Sequence, residues 1–398
     1  MTYPRAFKPS SVLMTLGCLA GLTLGGCTGD PVASDGTEGD SDGETTEATS
    51  TPADETGMSS TGTGVGTSSA DGSSSGMADE TSAESGSSDS GDPPGVECLD
   101  DQFVNGPSPG PNYNDFDVEL GSHCQGTNHQ DITDIERVVF VGDSVTVGTP
   151  PTGANDFYRS LVAEELATMF GLQAPEFLWK QYDPIGGTSV VQESGDFASC
   201  AVWGARNDDL LTQLEDCFAT EDYQMRTLVI TTMGGNDAAA LAKDYIDGVP
   251  LADVLADLEV MVGHHEMAIQ WLLDPGKFPN GVFVVNANVY EFTDATMDLL
   301  SCPAAGTAGF NGNPENPDVL RGALLHINEE YARIAGENGT DVVFMAEGFC
   351  GHGFHADDAS SPCYRGPGNG NWFDFTCIHP TPGGHEALAD MFINVISE

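Results

Sequence analysis

The chain has 398 residues, with 62 Asp and Glu against 12 Lys and Arg, a formal net charge of −50. A surface this acidic repels nucleic acid and anionic lipid headgroups, so partners of those kinds are excluded. After a polar N-terminal quarter, roughly 300 residues remain, enough for one large α/β domain with a substantial core.

The first residues carry Arg5 and Lys8, and an apolar stretch from Val12 to Leu24 follows. This is a charged leader with an apolar segment too short for a comfortable bilayer span. Leu24-Gly25-Gly26-Cys27 resembles the bacterial lipobox. The resemblance implies a signal peptide over 1–26 and a lipid-modified Cys27 as the first mature residue. It also implies an extracytoplasmic place in the cell envelope, held to the membrane only by that anchor. Residues 27–97 are Ser, Thr, Gly, Asp and Glu almost throughout, without Lys or Arg. Such a segment has too little apolar surface to offset the entropy of ordering it, and reads as an extended acidic linker. Within it, Gly72-Ser73-Ser74-Ser75-Gly76 spells a hydrolase motif. No strand precedes it and no helix follows, so it is read as linker.

From residue 98 to 398 the pattern changes. Setting aside Cys18 and Cys27, eight cysteines remain, with no metal-site spacing among them. An even count behind an export signal implies an oxidising compartment and up to four disulfides. The short loops favour Cys98–Cys124 and Cys200–Cys217. The last four pair either as Cys350–Cys363 with Cys302–Cys377 or sequentially. The segment from Cys98 to about Thr133 reads as a strapped loop over the domain.

Arg137–Val141, apolar and mostly β-branched after its first residue, predicts a buried strand. Asp156–Gly171 follows with helical period and Gly171 as its stop. The second strand is expected over Phe177–Tyr182, or otherwise over Cys200–Trp203. Thr227–Met233 predicts the third, followed by a helix over Leu251–Leu273. Gly281–Ala287 predicts the fourth, followed by a helix over Pro317–Gly336. Asp341–Ala346 predicts the fifth, and a helix over Gly383–Ser397 closes the chain. Strands apolar on both faces, alternating with helices, argue for a parallel sheet between two helix layers. Ligands of such sheets sit beyond the carboxyl ends of the strands.

That edge is where the reactive residue types gather. Gly142-Asp143-Ser144 follows the first strand, and Trp203-Gly204-Ala205-Arg206 comes between the second and third. Gly234-Gly235-Asn236-Asp237 follows the third, and His379 stands just before the last helix. Acyl transfer requires this inventory: a nucleophile, a base to take its proton, and neutral donors for the developing oxyanion. The four blocks, in this order, resemble those of the SGNH (GDSL-type) hydrolases. The resemblance implies a three-layer α/β/α sandwich with a flavodoxin-like, five-stranded parallel sheet, and an enzyme needing no metal or organic cofactor. It implies Ser144 as nucleophile and His379 as base. The N–H groups of Ser144 and Gly204, with the side-chain amide of Asn236, would form the oxyanion hole.

One position departs from the family. Its usual Asp, three residues before the histidine, is Thr376 here, and the nearest carboxylate is Asp374. Either Asp374 reaches the ring through an altered turn, the arrangement favoured here, or a backbone carbonyl or Thr376 orients it. Asp143 and Asp237 read as braces of their turns. His264-His265-Glu266 lacks the second histidine of a zinc helix, because position 269 is Ile, and reads as a solvated stretch of helix. His352 and His355 fall in a loop that could line the pocket, and His385 is expected to pack under the last helix. The expected substrate is an ester-bearing small molecule, a lipid or an O-acylated glycan. The competing reading is an inactive SGNH domain serving as a surface binding module.

Overall fold

The computed structural model describes residues 97–398 except Asp101 and Thr220. The expected signal peptide, lipid-modified Cys27 and linker up to residue 96 lie outside the described residues. The sheet contains β1 (Arg137–Gly142), β2 (Glu193–Ser194), β3 (Phe197–Ser199), β4 (Thr227–Thr232), β5 (Val282–Ala287) and β6 (Asp341–Val343). Their spatial order is β2-β3-β1-β4-β5-β6, with every pair parallel except β2 against β3. The five parallel strands run second, first, third, fourth, fifth across the sheet, the flavodoxin-like doubly wound order. The two-residue antiparallel edge β2 makes the sheet six-stranded.

The second strand is neither of the two expected. Phe177–Lys180 is a helical turn that buries Trp179. The parallel partner of β1 is the three-residue Phe197–Ser199, immediately before Cys200. The Cys200–Trp203 run still follows β1: the Cys200 N–H reaches the Phe140 carbonyl at 2.9 Å, and the Val202 N–H reaches that of Gly142 at 3.0 Å.

Period-2 alternation divides each strand between two cores. Val138 and Phe140 of β1, with Leu228 and Ile230 of β4, meet Tyr158, Val162 and Leu166 of α2 (Tyr158–Phe170) on one face. Leu388 and Phe392 of α8 (Pro382–Ser397) complete that layer. Val139, Val141 and Val229 face the other way. They meet Leu210 and Leu214 of α3 (Asn207–Cys217), Val254 and Leu258 of α5 (Leu251–Leu272), and Ile327 of α6 (Pro317–Asn338). Helices α1 (Ser144–Val147) and α4 (Gly235–Ile246) follow β1 and β4, and α7 (Met345–Phe349) follows β6.

The segment after Cys98 is a strap, as its composition suggested. It lies along the outer edge of β6, where the Thr127 N–H reaches the Val342 carbonyl at 3.0 Å and the Phe344 N–H reaches the Gln125 carbonyl at 2.8 Å. Those contacts occupy an edge that would otherwise offer unpaired backbone groups to another chain. The cysteines lie at disulfide distance as Cys98–Cys124, Cys200–Cys217, Cys302–Cys377 and Cys350–Cys363. Of the two arrangements open for the last four, this is the one that links Cys302 to Cys377. Among the described residues no helix is long and apolar enough to cross a membrane.

Candidate active site

The chain leaves β1 through Gly142, whose φ of 140° favours glycine. A Cβ there would stand 2.4 Å from the Thr232 carbonyl oxygen of β4. Gln213 of α3 clamps this glycine from both sides, accepting from its N–H at 2.7 Å and donating to its carbonyl at 2.9 Å. Asp143 then caps α1, its carboxylate accepting from the Val145 N–H at 2.9 Å. Burial pushes that carboxyl up to about 7. Ser144 is thus the first residue of a helix, where an N–H has no partner one turn back. Thr146, two residues further in, meets the hydroxyls of Tyr158 and Thr232, each at 2.7 Å, and holds α1 to α2 and β4.

The second block is fastened beside the first. The Trp203 N–H donates to the Gly187 carbonyl at 2.7 Å, and its indole Nε1–H donates to the Gly148 carbonyl at 3.0 Å. Gly204 follows with φ of 76° and an exposed backbone, and its N–H makes no hydrogen bond among the described residues. The third block closes on the second. Asn236 Nδ2 donates to the Ala205 carbonyl at 2.9 Å, and Asp237 accepts from the Asn207 N–H at 3.1 Å. An amide nitrogen carries two protons, so the Asn236 side chain is oriented by one and keeps the other to offer. Asp237, like Asp143, is buried and pushed up to about 7 by desolvation. Asp143 braces its own turn, whereas Asp237 ties the third block to the start of α3.

The base arrives on the turn before α8. The Asp374 N–H donates to the His379 carbonyl at 2.8 Å, which closes the turn, and Cys377 within it has φ of 77° and bonds to Cys302. His379 Nε2 lies 2.8 Å from Ser144 Oγ, between residues 235 apart in sequence. Its Nδ1 lies 2.7 Å from Thr376 Oγ1. Asp374 does not hydrogen bond to the ring, which corrects the arrangement favoured from sequence. Its Oδ1 accepts instead from the Thr376 N–H at 2.7 Å and from the Thr376 hydroxyl at 2.5 Å. The side chain that follows its own turn two residues on is spent locally, as Asp does in such turns.

Burial pushes the His379 imidazolium down to about 4. Only the neutral ring accepts a proton, so a lowered value extends the active range to lower pH. The acid limb of kcat/KM is therefore expected near pH 4 to 5, where an unperturbed imidazole, at about 6.5, would already have lost activity. A pH series on the intact protein checks this, and a limb at 6.5 or above contradicts a buried ring without a direct carboxylate partner.

The other histidines have other surroundings. His385 is buried in α8, accepting from the Tyr158 N–H at 3.2 Å. His352 stacks on Trp372 with ring centroids 3.5 Å apart, and His355 pairs with Asp298 at 3.3 Å. His265 is not solvated, contrary to expectation. It is fully buried, stacked on Tyr331 at 4.0 Å, and pushed down to about 3 by desolvation. It shares the sheet-facing side of α5 with Met261 and Ile269, four residues either way. Among the described residues no group of three or more His, Cys, Asp or Glu side chains is gathered for a metal ion.

The model for the GDSL-like lipase/acylhydrolase family matches residues 140–387, more than half of the chain. The chain belongs to this family. It is accordingly an ester-hydrolysing enzyme. Among solved structures, this GDSL-like hydrolase is similar to phospholipase A1 from Streptomyces albidoflavus NA297, at 17% identity and a TM-score of 0.39, over 65% of this chain and 98% of that one. It is similar to the extracellular lipase from Streptomyces rimosus, at 17% identity and 0.38, over 65% and 99%. It is also similar to an acetyl xylan esterase, AlAXEase, at 16% identity and 0.37, over 64% and 97%. No curated protein matches the sequence.

Proposed function

We propose that this GDSL-like hydrolase is an extracytoplasmic serine esterase, anchored by lipid on Cys27, that cleaves carboxylic esters through an acyl-enzyme on Ser144. The observation that carries the reading is the 2.8 Å contact between Ser144 Oγ and His379 Nε2. His379 takes the Ser144 proton as Oγ bonds the acyl carbon. The N–H groups of Ser144 and Gly204 and the amide of Asn236 receive the oxyanion. His379 then returns its proton to the departing alcohol, and water, activated by the same ring, releases the acid. Asp374 acts at one remove from the ring.

The surroundings favour an apolar acyl group over acetyl. Phe375, beside Thr376 on the base-bearing turn, is 65% exposed. Ile185, in the turn between the short antiparallel strands Tyr182–Asp183 and Thr188–Ser189, two residues before the Gly187 that receives the Trp203 N–H, is 96% exposed. Isolated apolar residues on a surface are ordinary, and the preference is read from these two only because each stands within two residues of a group bonded to a site segment. Lipids and medium-chain esters are thus favoured over O-acetylated glycans. The test is hydrolysis of nitrophenyl esters from acetyl to palmitoyl, alongside acetylated xylan. The expected result is an optimum at chains longer than acetyl. An optimum at acetyl, with release of acetate from xylan, would replace the lipid reading with the glycan one.

A further inference from the structure

The turn that carries the base differs from the family pattern at one position, and the difference is filled by a hydroxyl. Thr376 Oγ1 lies 2.7 Å from His379 Nδ1 and 2.5 Å from Asp374 Oδ1. Counting protons gives each contact a direction. Oδ1 already accepts the Thr376 N–H at 2.7 Å, so it is an acceptor at this point. The one hydroxyl proton of Thr376 therefore goes to Asp374, and an Oγ1 lone pair is left for His379 Nδ1–H. With the ring proton on Nδ1, Nε2 is bare and faces Ser144 Oγ at 2.8 Å. The same turn holds Asp374 at 6% exposure, and its Oδ2 makes no hydrogen bond among the described residues. Among the described residues, the buried carboxylate's only side-chain partner is Thr376.

We infer that Thr376 is a positioning residue: its hydroxyl links Asp374 to His379 and so sets the tautomer and the aim of the base, in a chain Ser144–His379–Thr376–Asp374. The inference rests on the reading of Ser144 and His379 given under the proposed function. No proton passes beyond the ring. The Ser144 proton moves to Nε2 as the Oγ–acyl bond forms, and it leaves with the alcohol as the ester C–O bond breaks. Nδ1–H stays in place throughout, and its bond to Oγ1 strengthens while the ring is cationic. A directly bonded carboxylate would stabilise that cation more than a hydroxyl does. The chain thus trades cation stabilisation for orientation.

The test uses the full-length, disulfide-bonded protein with three substitutions and two readouts. Thr376→Val removes the hydroxyl at constant shape and is expected to lower kcat on the order of 10²-fold, within the range of acid–base contributions, with KM nearly unchanged. Thr376→Ser restores the hydroxyl and most of the rate. Thr376→Asp puts a carboxylate beside Nδ1 and moves the acid limb of kcat/KM upward by about a pH unit or more, as an opposite charge at that distance does. Nitrogen-15 spectra of the His379 ring provide the second readout: the parent shows Nδ1–H alone at neutral pH, and Thr376→Val shows both tautomers. A folded Thr376→Val with parental kcat, a Thr376→Ser as slow as the valine variant, or an acid limb unmoved by Thr376→Asp overturns the inference. A parent that hydrolyses no ester fails the proposed function instead, and the ring spectra still decide the role of Thr376.

Discussion

Replacing Ser144 with Ala is expected to lower kcat by about 10⁴- to 10⁶-fold, as loss of the nucleophile does in other serine hydrolases. The fold should be untouched, because among the described residues the only side-chain hydrogen bond given up is the one to His379. His379→Ala should cost a similar amount, and the double variant little more than either alone. Residues that act as one unit give such non-additive losses, whereas independent contributors would multiply. Steady-state rates on the preferred ester check all three variants. Substantial turnover by Ser144→Ala would remove the nucleophile and with it the proposed chemistry.

The second large effect is expected at Asn236. Its Nδ2 donates one proton to the Ala205 carbonyl at 2.9 Å, so the amide is held before substrate arrives. A donor oriented in advance costs no reorganisation when charge develops, which is why such groups act more strongly in the transition state than in the ground state. Asn236→Ala should lower kcat by roughly 10²- to 10³-fold, about 2.7–4 kcal/mol, and leave KM nearly unchanged. The other two donors are backbone N–H groups, which side-chain substitution does not remove, so residual turnover should persist. A parental kcat for a folded Asn236→Ala would mean that the amide serves only to tie the third block to the second.

The readable parts of this molecule are those with repeating or local chemistry. Strands β1, β4 and β5 are apolar runs, and α5 and α6 end within about two residues of their periodic patterns. The four blocks stand out because each joins a special turn to a reactive side chain. The second parallel strand escaped because it is three residues long, Phe197–Ser199, too short for any period to register. Helix α4 was not among the expected elements although Gly235–Ile246 is amphipathic, because its opening Gly235-Asn236-Asp237 reads as a turn. Gln213 has the composition of a surface helix residue, and only the fold brings its amide to Gly142. His265 was misread because its neighbours His264 and Glu266 are polar, whereas the residues four away on either side face the sheet. Thr376 was visible as a departure, but the route from Asp374 to the ring through its hydroxyl depends on the turn set by Cys377 and is a matter of three dimensions.

The central claim, a nucleophilic Ser144 activated by His379, is tested most directly by covalent trapping. The intact protein would be treated with a nitrophenyl alkylphosphonate ester, and the adduct located by peptide mass mapping. The account predicts one adduct, on Ser144, absent from Ser144→Ala and formed far more slowly by His379→Ala. A folded protein that forms no adduct, or carries it on another residue, contradicts the account; no adduct together with no ester turnover would leave the domain as a binding module.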